Sequence, residues 1–264
     1  MMCLLPRRSS RLIGSCLTLG VALLLAVPAA RAAHVSAGAQ TSIAPTPAGT
    51  TASARDIDAL FVAAIKPDGP GMAVIVVKDG KTVFRKAYGM ANVELHVPMR
   101  PEHVFRIASL TKQFTAAAVM MLVEEGKLAV SDPITKFWPD YPTQGTTITV
   151  EHLLTHTSGI QGYTEMPAFG TVMMKDMTVD QMIAFFKNEP MNFAPGEQWR
   201  YNNSAYFLLG ALIEKVSGQK YADFVAARIF QPLGMAHSYY GDTAPIIPLR
   251  VSGYERQGET VRNA

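Results

Sequence analysis

The sequence predicts an α+β fold in which a β-hairpin is followed by a mostly helical region. The hairpin is indicated by two runs rich in β-forming residues, 71–78 and 81–88, which flank the turn dipeptide Asp79-Gly80. The helical region is indicated by apolar residues that recur at helical spacing after residue 109. Strands that come first and helices that come afterwards favour a plan in which helices are grouped against a sheet.

The remaining elements follow from the same patterns. A short amphipathic helix is predicted before the hairpin, over 56–65. Prolines at 133, 139 and 142 break the chain into loops after the helix that begins at Ser109. A further helical segment is predicted to start at 150–154 and to end at 156–159. Other helices are predicted over 179–187, 206–216 and 221–230, with a turn at Pro195-Gly196.

The predicted sheet has only two strands, which do not form a stable sheet by themselves. The strands expected to complete it do not occur before Ala264. We therefore expect a helical region packed on an antiparallel sheet whose C-terminal strands are absent from this chain.

The first 32 residues predict a signal peptide, and hence a periplasmic or secreted protein. Arginines near the start precede an apolar run over 17–27, and Ala30-Arg31-Ala32 offers a small-x-small cleavage site. The run is shorter than the roughly 20 residues of a membrane-spanning helix, although an uncleaved N-terminal anchor is the alternative. Residues 33–53 are rich in Ala, Ser, Thr, Gly and Pro and predict a flexible linker, which leaves 54–264 as the folded domain.

The formal net charge of +3 comes mostly from the predicted leader. Without residues 1–32 the chain has 20 basic and 21 acidic residues, because the leader contains four arginines and no acidic residue. No basic patch is left that would indicate binding to nucleic acid. Both cysteines, Cys3 and Cys16, also lie in the leader, so the exported protein is predicted to have neither a disulfide nor a thiol nucleophile.

Ser109 and Lys112 are the candidate nucleophile and base. Residues three apart on a helix share a face, and a serine hydroxyl becomes nucleophilic only beside a group that takes its proton. A lysine can be that group when burial or a neighbouring charge lowers its pKa. A second Ser-x-x-Lys occurs at 217–220, but there Ser217-Gly218 is typical of a helix end. Ser109 instead begins a helix, where the positive dipole end favours a developing oxyanion.

Other segments in the chain carry a family resemblance. They read, in order, PGMAV at 70–74, FRIASLTKQ at 105–113, VEEGKL at 123–128, HLLTHTSG at 152–159, PG at 195–196, YNNSAYFLLG at 201–210 and PLGM at 232–235. With the hairpin, they make residues 55–255 resemble the serine β-lactamase-like superfamily. That group includes class C β-lactamases, D-alanyl-D-alanine carboxypeptidases and related esterases. The resemblance implies a β-lactamase/transpeptidase-like fold.

The family motif Tyr-x-Asn corresponds to Tyr201-Asn202-Asn203, and no other tyrosine in the sequence has an asparagine two positions later. The resemblance implies that Tyr201 moves a proton between Ser109 and the leaving group, helped by a lysine cation that favours the phenolate. It also implies that Asn203 hydrogen-bonds the substrate amide and the lysine, and that the backbone N–H of Ser109 forms half of an oxyanion hole. No cofactor is implied.

A third family motif, Lys/His-Thr/Ser-Gly on a strand that lines the site, does not occur after Tyr201. The tetrapeptide 156–159 precedes Tyr201 and matches a different family segment. The chain is therefore expected to be a C-terminally truncated family member. The oligomeric state is not predicted.

Two functions stay open. One is an exported serine hydrolase that acts through an acyl-enzyme on a β-lactam, a D-Ala-D-Ala peptide of peptidoglycan or a small ester. The other is a non-catalytic homologue that binds peptidoglycan or a protein partner.

Two histidines raise the question of a metal site. His152 and His156 are four residues apart and could face one metal ion on a helix. Since no acidic residue follows His152 as in zinc proteases, structural packing is the favoured interpretation, and no metal is expected.

Overall fold

The computed structural model of the protein describes residues 53–241 and 244–264. The predicted signal peptide and residues 33–52 of the predicted linker lie outside the described residues, so both stay predictions. The helices are α1 Ala54–Ala64, α2 Thr111–Glu124, α3 Val150–Leu154, α4 Val179–Phe186, α5 Asn203–Ser217 and α6 Tyr221–Val225; the strands are β1 Met72–Lys78, β2 Lys81–Tyr88, β3 Met90–Asn92, β4 Val97–Pro98, β5 Tyr254–Gln257 and β6 Thr260–Asn263. No helix in this part of the chain has the length and apolar character required to span a membrane.

The predicted hairpin is confirmed. Strands β1 and β2 pair in antiparallel fashion from Met72 opposite Tyr88 to Lys78 opposite Lys81, with one irregularity in the register after Val76. The turn residues Asp79 and Gly80 have φ angles of 48° and 72°. Left-handed conformations at both positions are what a two-residue type I′ hairpin turn requires, and Asp-Gly adopts them readily.

Helix α1 packs against strand β2 of the hairpin. Its Phe61 ring stacks on Tyr88 of β2 with 5.4 Å between the ring centroids. Asp58 accepts hydrogen bonds from the Lys86 ammonium and the Tyr88 hydroxyl, both at 2.7 Å. Ser53 caps α1 in a reciprocal capping box with Asp56, which fixes the point where the helix starts.

Two further strand pairs, β3–β4 and β5–β6, were not predicted from the sequence. Each strand has between two and four residues, too few for an alternating pattern to stand out. Long-range hydrogen bonds join the two regions: the Val93 N–H donates to the Tyr254 hydroxyl at 2.8 Å, and Asn92 Nδ2 donates to Ser252 Oγ at 2.9 Å. The last strands are therefore tied to the segment that follows the hairpin.

The buried core of the described residues lies in the helical region, between residues 118 and 229. Helix α5 contributes an almost continuous run of buried side chains, and α2 packs directly against it. Fully buried members include Val119 and Leu122 of α2, Leu208, Leu209, Leu212 and Ile213 of α5, Phe186 of α4 and Phe224 of α6. This packing holds the first turns of α2 and α5 near each other.

Several helix boundaries differ from the prediction. Helix α5 begins at Asn203 rather than at residue 206, because the side chain of Asn202 caps the helix by accepting the Ala205 N–H at 2.8 Å. The helix predicted over 221–230 is α-helical only to Val225 and continues as a π-helical segment, Ala226–Phe230. Apolar periodicity does not distinguish these two helix types over so few residues.

The backbone at Gly159 packs closely against the Phe193 carbonyl group, and a substitution there tests this contact. Its φ angle is 72°, and a Cβ atom there would lie 2.0 Å from the Phe193 carbonyl oxygen. Gly218, which ends α5, has a φ of 71° but open space around it. We expect Gly218→Ala to lower the free energy of unfolding by about 1 kcal/mol through conformational strain alone. Gly159→Ala should lower it by about 3 kcal/mol or more, because the backbone must also move.

Urea denaturation of both variants measures this difference. Equal losses at the two positions would show that the Gly159–Phe193 contact is not tight in the folded protein.

Candidate active site

Ser109 lies in a single 3₁₀ turn, Ala108–Leu110, that runs directly into helix α2. The sequence predicted Ser109 at the start of a helix, and in the structure α2 begins two residues later, at Thr111. The preceding residue, Ala108, has a φ angle of 45°. A left-handed conformation costs a residue with a Cβ atom about 1–2 kcal/mol, so the backbone is strained immediately before the candidate nucleophile.

Lys112 lies in the first turn of α2, three residues after Ser109. Its half-buried side chain extends toward the start of α5 and donates hydrogen bonds to the Tyr201 hydroxyl at 2.5 Å and to Asn203 Oδ1 at 2.8 Å. Its ammonium also lies 4.6 Å from the centroid of the Tyr201 ring. The structure therefore brings the two halves of the predicted site together across about 90 residues of chain.

Extended backbone before α5 explains the spacing of Tyr201 and Asn203. Asn202 has φ −144° and ψ 119°, and side chains alternate in direction along such a backbone. Tyr201 and Asn203 both reach Lys112, while Asn202 is buried on the other side. There the Asn202 amide donates to the Ile160 carbonyl and caps α5.

The Tyr201 hydroxyl is the central atom of the site. It lies 2.6 Å from Ser109 Oγ and 2.5 Å from Lys112 Nζ. When Tyr201 is a neutral phenol, its hydroxyl donates to Ser109 Oγ. When it is a phenolate, its oxygen can accept the Ser109 proton over the same distance. The four predicted site residues, Ser109, Lys112, Tyr201 and Asn203, thus form one hydrogen-bonded chain.

The pKa of Tyr201 is lowered in this setting. Burial raises the pKa of this phenol, but the hydrogen bonds with Lys112 and Ser109 and the charge of Lys112 together lower it by more. The result lies below the ordinary value near 10. Burial instead raises the pKa of the nearby Tyr163 and Tyr206. A lowered pKa is what a tyrosine needs to act as a proton acceptor.

An open cavity of about 390 Å³ lies next to Ser109, Lys112 and Asn203. Five aromatic side chains line it, together with the carboxylate of Glu214; the aromatic residues are Tyr163, Tyr206, Phe207, Tyr221 and Tyr240. A cavity of this size, lined by aromatic side chains and a few polar groups, is typical of a small-molecule site.

Thr164 is a site residue that the sequence did not indicate. Its hydroxyl accepts a hydrogen bond from Asn203 Nδ2 at 3.0 Å, so the Asn203 amide is held on both sides, by Lys112 at its oxygen and by Thr164 at its nitrogen. A threonine in a short loop helix carries no pattern that would have identified it.

Ser217 and His152 both have structural roles at helix ends. Ser217 is the last residue of α5, and Gly218 ends the helix in a left-handed conformation, which confirms the predicted helix end. His152 caps α3 by accepting the Thr149 N–H at Nδ1. Among residues 53–241 and 244–264, no group of three or more His, Cys, Asp or Glu side chains lies close enough together to hold a metal ion.

The chain is similar to several known proteins. Esterase EstB of Burkholderia gladioli is 36% identical over 198 residues, which cover 69% of this chain and 50% of EstB. The octameric penicillin-binding protein homologue of Pyrococcus abyssi superposes with a TM-score of 0.66 at 36% identity, covering 80% of this chain and 49% of that protein. D-amino acid amidase of Ochrobactrum anthropi SV3 superposes with a TM-score of 0.58 at 32% identity, covering 70% and 51%.

The chain therefore spans about half the length of each of these proteins. The superpositions confirm the predicted α+β, β-lactamase/transpeptidase-like fold. A family model described as Beta-lactamase matches residues 44–264, most of the sequence. The chain belongs to the β-lactamase family, as the sequence resemblance indicated.

Proposed function

We propose that this protein is a serine hydrolase that acts through an acyl-enzyme formed on Ser109. The observation that carries the proposal is the chain of short hydrogen bonds from Lys112 through Tyr201 to Ser109, 2.5 Å and 2.6 Å long. It joins a cation, a phenol of lowered pKa and a hydroxyl in the order that proton removal from a serine requires.

In the acylation step the Tyr201 phenolate, held by Lys112, takes the proton of Ser109 as Oγ attacks the substrate carbonyl carbon. A C–O bond forms and the carbonyl oxygen becomes an oxyanion, which the backbone N–H of Ser109 binds at the positive end of α2. The oxyanion collapses, the bond to the leaving group breaks, and the Tyr201 hydroxyl returns the proton to that group. Water then attacks the acyl-Ser109 ester by the reverse sequence and restores the free serine.

The proposed substrates are small esters, β-lactams or D-Ala-D-Ala peptides, which share a carbonyl group with a good or activated leaving group. Relatives named as an esterase, a penicillin-binding protein homologue and an amidase support this range. Asn203 is proposed to bind the substrate amide, since Lys112 and Thr164 fix its orientation at the edge of the cavity. The leader pattern of residues 1–32 supports export to the periplasm or the medium, where peptidoglycan peptides are accessible.

Removal of the proposed nucleophile tests the function directly. Wild-type protein should be labelled by fluorescent penicillin or should hydrolyse a p-nitrophenyl ester with a burst, and mass spectrometry should find one acyl group on Ser109. Ser109→Ala should abolish both reactions, and Tyr201→Phe should slow acylation by about 10²–10⁴-fold because the hydroxyl that joins Ser109 to Lys112 is removed. Ser217→Ala, in the second Ser-x-x-Lys, is the matched control and should react like the wild type.

The rival function, a binding protein without turnover, predicts a different outcome. In that case the folded wild-type protein would acquire no acyl group from either reagent. Reaction that persists in Ser109→Ala would equally overturn the proposal, since another residue would then be the nucleophile.

The pH dependence of acylation tests the role of Lys112. Lys112→Met removes the hydrogen bond and the charge that lower the pKa of Tyr201, so this pKa should rise. Less phenolate is then present at pH 7, and acylation should fall by at least about tenfold. The rising limb of the rate should move to higher pH. Lys220→Met, the matched change in the second motif, should leave the profile unchanged; an unshifted profile in Lys112→Met would contradict this role.

A further inference from the structure

His156 anchors the segment that contains Tyr201 by hydrogen bonds. Tyr201 belongs to no helix or strand, and the backbone N–H groups of the residues before and after it both donate to His156. The Arg200 N–H donates to the His156 carbonyl oxygen at 2.9 Å. The Asn202 N–H donates to His156 Nδ1 at 3.1 Å. A single residue thus holds the chain just before and just after Tyr201.

The imidazole ring of His156 also supports the Tyr201 ring. Its centroid lies 4.8 Å from that of Tyr201 and 4.9 Å from that of Tyr206, with interplanar angles of 40° and 37°. Trp199 meets it edge-on at 6.1 Å. The Lys112 ammonium lies near the same two tyrosine rings, 4.6 Å from the centroid of Tyr201 and 5.4 Å from that of Tyr206. The Tyr201 ring therefore has His156 and Lys112 as neighbours.

The bonding pattern requires a neutral imidazole. Nδ1 can accept the Asn202 N–H only when it carries no proton, so the ring proton lies on Nε2. The surroundings favour that state, because burial and then the charge of Lys112 lower the pKa of His156. His156 also adopts a φ angle of 61°, a left-handed conformation that histidine and asparagine tolerate better than most residues.

We propose that His156 is a positioning residue for the reaction, and that it keeps the Tyr201 hydroxyl between Lys112 and Ser109. The inference rests on the proposed role of Tyr201 as proton acceptor. The two hydrogen bonds of that hydroxyl are 2.5 Å and 2.6 Å long, so a displacement of about 1 Å away from both partners would weaken both severely. Misplacement on this scale costs enzymes about 10²-fold in rate. His156 acts on the reaction through Tyr201, which it contacts directly.

Variants of His156 separate the hydrogen bond from the ring. His156→Phe keeps an aromatic ring but has no acceptor for the Asn202 N–H. His156→Asn restores an acceptor close to the position of Nδ1 and tolerates the left-handed backbone. His152→Phe is the matched control, because His152 also accepts a backbone N–H at Nδ1 but caps α3 instead of holding Tyr201.

The measurement is ester hydrolysis or penicillin acylation together with thermal unfolding of each variant. We expect kcat of His156→Phe to fall by about 10–100-fold with KM changed less than about threefold, since proton transfer is impaired while the cavity is intact. His156→Asn should recover at least about tenfold of the kcat that His156→Phe loses. His152→Phe should keep the wild-type kcat even if it lowers the melting temperature as much as His156→Phe does.

Three outcomes would overturn the proposal: a kcat in folded His156→Phe equal to that of the wild type, a loss of kcat that only follows the unfolded fraction, or no recovery in His156→Asn. Failure of this inference differs from failure of the proposed function. If Tyr201→Phe is inactive while His156→Phe is fully active, only the positioning role fails. If Tyr201→Phe retains wild-type acylation, the role of Tyr201 itself fails.

Discussion

Helices α2 and α5 pack against each other through side chains that are fully buried, among them Val119 and Leu122 of α2 and Leu208 and Leu212 of α5. Both helices start at the same end of this contact. The packing therefore places Lys112, in the first turn of α2, against the residues that lead into α5. Burial of four such side chains contributes on the order of 6–12 kcal/mol, more than any single polar contact of the site. The packing of the core thus determines where the polar side chains of the site meet, and the identity of these side chains determines the chemistry.

The charge of Lys112 is directed at a phenol and an amide rather than at a carboxylate. Its hydrogen bonds go to Tyr201 and Asn203, and none of the ion pairs found within residues 53–241 and 244–264 includes it. A carboxylate in contact would offset the cation and weaken its effect on Tyr201. Because no such partner is found in this part of the chain, the positive charge acts on the one tyrosine that also reaches Ser109. This arrangement explains why the pKa of Tyr201 is lowered while burial raises the pKa of Tyr163 and Tyr206.

The parts of the fold that local rules govern could be predicted from the sequence. The hairpin was predictable because Asp79-Gly80 fits the left-handed turn, and the helices because their buried faces repeat. Features that depend on distant partners were not. The short β3–β4 and β5–β6 pairs are joined by hydrogen bonds across about 160 residues, such as that from Val93 to Tyr254. Thr164 contributes to the site only because Asn203 reaches it, and the left-handed φ of Ala108 has no signal in an alanine.

The two motif spacings reflect two backbone geometries that converge on one point. Ser109 and Lys112 are three residues apart across a 3₁₀ turn that enters α2, and residues i and i+3 lie on the same side of such a turn. Tyr201 and Asn203 are two residues apart across extended backbone at Asn202, where alternate side chains point the same way. Each spacing would fail on the other backbone, since it would turn one member of each pair away. Ser217 and Lys220 have the first spacing, but the chain between them leaves the helix at Gly218. A motif spacing therefore brings two side chains together only where the chain adopts the backbone conformation that the spacing requires.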